Sequence, residues 1–336
     1  MSKIVINICL LLAVLGGLNS CRWVDDDMSV CPRGFHLKLI YSYNMLDVDA
    51  ASTQVDHVSV FVFDQQGTCL EQMDVDSLAL RQNRYVVDLP DLPAGYYDVL
   101  VWGGLDREHF QYTDRELSLV TDSTHTTDEQ IPSLFHGRMD SLFIDGSYKV
   151  QAFPLVKNTN TVSCVVQEMG GRPFDTGDFV MELTADNGVM DHWNRPVPRQ
   201  DIGYLPYFAE AAVVEAKPLL RYGITTLRLL AGDDTRLRLI HEATGQLVFD
   251  IPLTEYLLLS RDMVGYGMSD QEFLDRQDTY SLIFLLTATD DLRQPYLLTR
   301  MTVNGWIVRM DATELGRKYA VPRACGQGVA ETSHRE

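Results

Sequence analysis

From Phe35 onward, apolar residues recur with the period of β-strands. Phe35-His36-Leu37-Lys38-Leu39-Ile40-Tyr41 alternates apolar with mostly polar positions, as a strand buried on one face does. Val58-Ser59-Val60-Phe61-Val62-Phe63 follows, and Asp64-Gln65-Gln66-Gly67 turns the chain into Thr68-Cys69-Leu70-Glu71. Residues 85–89 and 96–102 are two further strands, separated by the breaker Pro90-Asp91-Leu92-Pro93-Ala94-Gly95. Residues 121–130, rich in threonine and acids, read as a surface loop, and residues 148–156 as a strand closing the first series.

The second half continues in the same style. Residues 161–167 and 179–185 are strands, and Asp186-Asn187-Gly188 predicts a hairpin turn after the second. Residues 225–230, 237–241 and 246–251 extend the series, with Ala243-Thr244-Gly245 as a hairpin tip. Two helical patches interrupt it, at 253–260 and 270–276; Ser269 is placed to cap the latter, with Glu272 reaching back. Strands at 279–287 and 297–303 follow, and Asn304-Gly305 turns the chain into Trp306-Ile307-Val308-Arg309-Met310. Short strands at close spacing, with turn residues between them, predict an all-β chain of two β-sandwiches carrying a few short helices. The boundary falls near Lys157, where Asn158-Thr159-Asn160 offers a polar joint.

The first residues follow a different pattern. Lys3 precedes a largely apolar run that ends at Leu18-Asn19-Ser20-Cys21, too short for the roughly 20 residues that cross a bilayer. Positive residue, apolar run, small residues and cysteine form the layout of a bacterial lipoprotein signal. Cleavage before Cys21 would leave that cysteine to carry the acyl chains, each buried methylene adding roughly 0.8 kcal/mol of membrane affinity. Asp25-Asp26-Asp27 then makes a solvated acidic tether. The organisation expected is therefore a signal peptide (1–20), a tether from lipidated Cys21 (21–33), two sandwiches (34–157 and 158–317) and a polar tail (318–336).

Charge narrows the partners. A net charge of −19, from 47 acidic against 28 basic residues and with no basic stripe, excludes nucleic acid as an expected ligand. Outside the signal and Cys21, four cysteines remain: Cys31, Cys69, Cys164 and Cys325. An extracytoplasmic address permits disulfides among them, and the three full pairings stay open beside free, buried thiols. Their spacing matches no zinc pattern, and no residue set calls for a cofactor. No histidine pair, serine elbow or phosphate loop suggests catalysis. Asp175-Thr176-Gly177-Asp178 and Asp233-Asp234 read as solvated turns before calcium loops, and Trp193, between His192 and Arg195, as packing before a sugar platform.

Five segments in order resemble one family, the FimB-type anchor subunits of Bacteroidales fimbriae, which include the minor-fimbrium anchors. They are the lipobox at Cys21 with Val30-Cys31-Pro32-Arg33-Gly34, the strand continuing as Leu39-Ile40-Tyr41-Ser42-Tyr43-Asn44-Met45, and Val58-Ser59-Val60-Phe61-Val62-Phe63-Asp64 running into Gly67. The last two are Ile251-Pro252-Leu253-Thr254-Glu255-Tyr256-Leu257-Leu258 and Val303-Asn304-Gly305-Trp306-Ile307-Val308-Arg309. The resemblance implies two tandem transthyretin-like, Greek-key sandwiches held to the outer membrane by lipid, facing the cell surface. It implies a role in anchoring a fimbrium and limiting its length, with stalk or accessory subunits bound by strand addition. Stalk subunits of such systems lose an N-terminal strand to an arginine-specific protease, whereas an anchor is expected to keep its own; Arg22 and Arg33 lie early enough to be cut. The alternative is a surface lipoprotein or tip adhesin that binds glycans or host ligands.

Overall fold

The computed structural model describes residues 34–113, 115–197 and 199–308. Cys21 and Cys31 with the signal and tether, and Cys325 with the tail, lie outside the described residues. The described chain is mostly β, in five sheets with no barrel.

The first half contributes β1 (Phe35–Ile40), β2 (Val58–Phe63), β3 (Cys69–Val75), β4 (Val86–Asp88), β5 (Gly95–Gly103), β6 (Phe110–Thr113), β7 (Glu116–Leu119), β8 (Thr126–Thr127), β9 (Phe135–Ile144), β10 (Lys149–Pro154) and β11 (Val156–Lys157). β1 lies between β10 and β4, parallel to the first and antiparallel to the second. A second sheet runs β11-β9-β5-β2-β3. The alternating residues Leu37 and Leu39 of β1 meet Val58, Val60 and Val62 of β2 and Val99 and Val101 of β5 in one apolar cluster between the two sheets. β1 shows the predicted alternation of buried and half-buried positions, but β2 is buried at all six. Its opposite face, with Phe61 and Phe63, is also covered, which explains why both of its faces carry apolar residues.

The second half contributes β12 (Thr159–Glu168), β13 (Phe179–Ala185), β14 (Val189–Asp191), β15 (Ile202–Tyr204), β16 (Phe208–Val214), β17 (Lys217–Leu227), β18 (Arg236–His241), β19 (Gln246–Pro252), β20 (Thr279–Ala288), β21 (Tyr296–Val303) and β22 (Trp306–Val308). Six strands order as β16-β17-β12-β20-β21-β22 and five as β19-β18-β13-β15-β8. Between them lie Val162, Leu183, Leu239 and the stacked rings of Phe249 and Phe284, 4.2 Å apart.

Two sheets draw strands from both halves. β8 pairs with β15, so the stretch predicted as a plain surface loop also adds a short strand to the second half. The fifth sheet, β14-β7-β6, lies over the outer face of the β2-containing sheet, and Trp102, Leu117 and Met190 join the same apolar cluster as the second half's core.

The Asn-Gly turn after β13 is not a hairpin: β13 pairs with β15 and β18, whereas β14 pairs with β7. Asn187 is wholly buried, donates to the Leu227 and Arg228 carbonyls at 3.1 Å, and accepts from the Tyr204 hydroxyl at 2.7 Å. A Cβ on Gly188 would stand 2.0 Å from Ile202 Cδ1, so any larger residue there would have to displace the Ile202 side chain. At Asn304-Gly305 the prediction holds: both have positive φ, and Val303 pairs with Trp306 across the turn. The helix Asp270–Arg276 is capped by Ser269, whose hydroxyl accepts from the Glu272 N–H at 3.2 Å. Glu272 does not reach back; its carboxylate accepts from Arg276 Nε at 2.9 Å, one turn on.

Candidate assembly groove

β6 pairs with β7 alone and β3 with β2 alone among the described residues, so each presents one free main-chain edge. Between them lies a groove of about 990 Å³. Its floor is Phe61 and Phe63 of β2, its walls are Phe110 and Tyr112 of β6 against Gln72 and Asp74 of β3, and Val120 stands at the rim. The Phe61 and Tyr112 rings are 4.8 Å apart. One end is acidic, with Asp74 accepting from the Ser59 hydroxyl at 2.5 Å and Asp76 beside it. The other end is closed by Arg115, whose guanidinium lies 5.7 Å from the Phe63 ring centre and donates to the Gly67 carbonyl.

The register of β6 decides which of its polar groups face this space. Val120 N–H donates to the His109 carbonyl at 2.8 Å, which makes Gln111–Ser118 and Thr113–Glu116 the hydrogen-bonded pairs. The N–H and C=O of Tyr112 therefore point away from β7, into the groove. The Tyr112 hydroxyl is buried without a hydrogen-bond partner, and burial pushes its pKa up to about 12.

Cys69 is a free thiol on this groove; partial desolvation raises its pKa, and its hydrogen bond to the Glu71 carbonyl works in the opposite direction. Cys164 is wholly buried in the other core, where desolvation strongly favours the neutral thiol. The two are not bonded to each other. Asp175 and Asp178 are spent on their own turn, accepting from Thr176 N and Asp175 N at 2.6 and 2.7 Å. Asp233 accepts from the Thr235 and Thr254 hydroxyls.

Trp193 is half exposed, and three side chains crowd its ring: His192 at 3.6 Å, Arg195 at 4.6 Å and Arg138 at 5.4 Å. Asp191 fixes this turn by accepting from the N–H groups of Trp193 and Arg195, both at 2.9 Å. These neighbours hold the Trp193 ring in place while about half of the residue stays exposed.

Beneath this turn the chain crosses from one half to the other. The polar joint predicted at Asn158-Thr159-Asn160 is buried, and the amides of Asn158 and Asn194 bond reciprocally. His136 is buried beside it, its Nε2 3.1 Å from the His192 carbonyl and its ring packed edge-on to Trp102. Burial first, then the Arg228 and Arg138 charges, pull its pKa down to about 4 from an ordinary 6.5. The unfolded chain then takes up this proton near pH 6.5 and the folded chain only near pH 4. The stability this residue contributes is complete above pH 6.5 and is lost as pH falls towards 4, by up to about 3 kcal/mol. Denaturant titrations at pH 7 and pH 4.5 should show His136→Leu losing less stability on acidification than the wild type; equal losses would refute the assignment.

The groove residues escape sequence reading because β6 is four residues long and β3 is mostly exposed, so neither gives a strong alternating signal. The available cue is the Phe110-x-Tyr112 alternation between two turns.

A family profile described as "Fimbrillin-A associated anchor proteins Mfa1 and Mfa2" matches residues 28–311. The minor fimbrium anchoring subunit Mfa2 of Porphyromonas gingivalis is 22% identical over 338 residues, covering 93% of this chain and 97% of that protein. A candidate adhesin of Bacteroides thetaiotaomicron shares the fold with a TM-score of 0.73 at 27% identity, over 84% of this chain and all of that one. The solved fimbrial anchor protein of P. gingivalis gives a TM-score of 0.63 at 18% identity, over 83% and 99% of the two chains.

Proposed function

The chain belongs to the Mfa2 family of fimbrillin-A associated anchor proteins, and from that premise we propose that it ties a fimbrium to the outer membrane through lipid on Cys21 and limits the length of the fibre. As a fimbrial anchor it is non-enzymatic, and its family associates with fimbrillin at the cell surface. The observation that carries the proposal is the seating of β1. It begins two residues after Arg33, pairs on both sides, and buries Phe35, Leu37 and Leu39 at 3% exposure or less. A strand so placed belongs to the core, as an anchor's N-terminal strand should. Cleavage at Arg22 or Arg33 would separate the lipid from the fold and leave β1 in its sheet.

In this reading residues 34–157 and 158–317 act as two tandem transthyretin-like sandwiches. The shared sheet β14-β7-β6 and the buried contact of His136 with the His192 carbonyl lock them together. A load-bearing role fits such a body, because tension between tether and fibre passes through paired strands. The contact with fimbrial subunits is strand addition to a free edge.

Deleting the chain in its native host is expected to move fimbrillin from the cell fraction into the culture medium and to lengthen the fibres. Immunoblots of both fractions and electron microscopy of fibre length would measure this. Fibres that stay on the cell at unchanged length would overturn the proposal.

A further inference from the structure

The β14-β7-β6 sheet covers the five-stranded sheet only in part. Its three strands stop at β6, leaving a channel, with the buried Phe61 and Phe63 at its base, that β3 borders on the far side. One strand laid beside β6 would continue the covering sheet and close the channel. β2, which forms the floor, is six residues long, or roughly 20 Å at about 3.3 Å per residue, the span of a short strand. We propose that this channel between β6 and β3 is the docking site for an extended segment of fimbrillin, which pairs with the free edge of β6 at Tyr112 and lays alternate side chains between Tyr112, Val120 and Gln72. The inference rests on the association with fimbrillin and specifies where and how it is made.

Three features select this occupant. The main-chain N–H and C=O of Tyr112 point away from β7 and ask for another strand. The channel's ends carry opposite charge, Asp74 and Asp76 against Arg115, which favours a segment with complementary ends. The chain's own β1, which leads from the tether, lies in the sheet on the other side of the middle sheet, leaving the channel open to a partner while the lipid is held. A second copy would bring an equal net charge of −19 against an acidic β3 edge.

The competing surface is β16, the outer strand of the six-stranded sheet, where Phe208, Val213 and Val214 are exposed. The experiment sets one against the other by co-purifying fimbrillin with the full-length, lipidated chain from its native host. Gln72 and Gln111 are exposed positions lining the channel, so Gln72→Arg with Gln111→Arg obstructs it without opening a core. This variant is expected to capture at least about tenfold less fimbrillin, the change expected when a strand and its hydrogen bonds are lost. Val213→Arg is expected to capture as much as the wild type, and all three proteins should melt alike.

Loss of capture with Val213→Arg alone would overturn the channel while keeping the association. Equal capture by all three would overturn it too. A wild type that captures no fimbrillin would refute the association itself. Capture that rises once residues 309–336 are removed would assign the channel to the chain's own C-terminal segment. A wild-type dimer that the double variant dissociates would assign it to a second copy; either result overturns the proposal.

Discussion

Replacing Cys21 by alanine is expected to release the fibres into the medium while their subunits are still made. The anchor proposed here is chemical and local. One acyl chain gives only marginal, reversible membrane binding, whereas two or three, at about 0.8 kcal/mol per buried methylene, hold a protein on the bilayer. Without the thiol the lipid has no point of attachment, and no helix among the described residues is long and apolar enough to cross a membrane in its place. Cys21 precedes β1 by fourteen residues, so the substitution leaves the core strands untouched. Immunoblots of cell and medium fractions for fimbrillin and for this chain are the measurement. Both should shift to the medium together. Fimbrillin retained on the cell with the Cys21→Ala chain present would refute lipid-dependent anchoring.

The largest loss of stability is expected at a buried ion pair of the second half. Arg228 donates through Nε and Nη2 to the two oxygens of Asp275 at 2.7 and 2.8 Å, and through Nη1 to the Asn194 carbonyl at 2.9 Å. The side chains are 15% and 6% exposed. Arg228→Leu would leave a buried carboxylate with the Gln271 amide, 2.8 Å away, as its remaining side-chain donor. Breaking one side of such a pair costs about 3–5 kcal/mol, because the surviving charge stays desolvated. The Asn194 carbonyl would lose a donor as well. Replacing both partners, as Arg228→Leu with Asp275→Leu, should recover much of the loss. Guanidinium denaturation of the wild type and both variants would measure this; a loss below about 1 kcal/mol for the single substitution would contradict the assignment.

Several elements were legible in advance because their information is local. The period-two alternation of residues 35–41 and the β-branched run at 58–63 give strands wherever they are placed. Ser269 caps its helix with a side chain three residues from the N–H it serves, and Asn304-Gly305 turns the chain because both residues tolerate positive φ. Asn187-Gly188 carries the same dipeptide and does something else. Its asparagine is drawn into a buried site by Tyr204 and the Leu227 carbonyl, partners far along the chain that a turn propensity does not register.

By itself the sequence determined the strand-rich class, the residue pattern ending at Cys21 on which the lipid proposal rests, the acidic run Asp25-Asp26-Asp27 and the likeness to fimbrial anchors. Each is written in consecutive residues. The tertiary structure alone decided that β1 pairs with β10 across more than a hundred residues, that β6, β7 and β14 form one sheet from two halves, and that the joint at Asn158 is buried. It also decided the groove. An edge is a strand's lack of a neighbour, and alternation along one strand records which face is buried but not whether anything lies beside it.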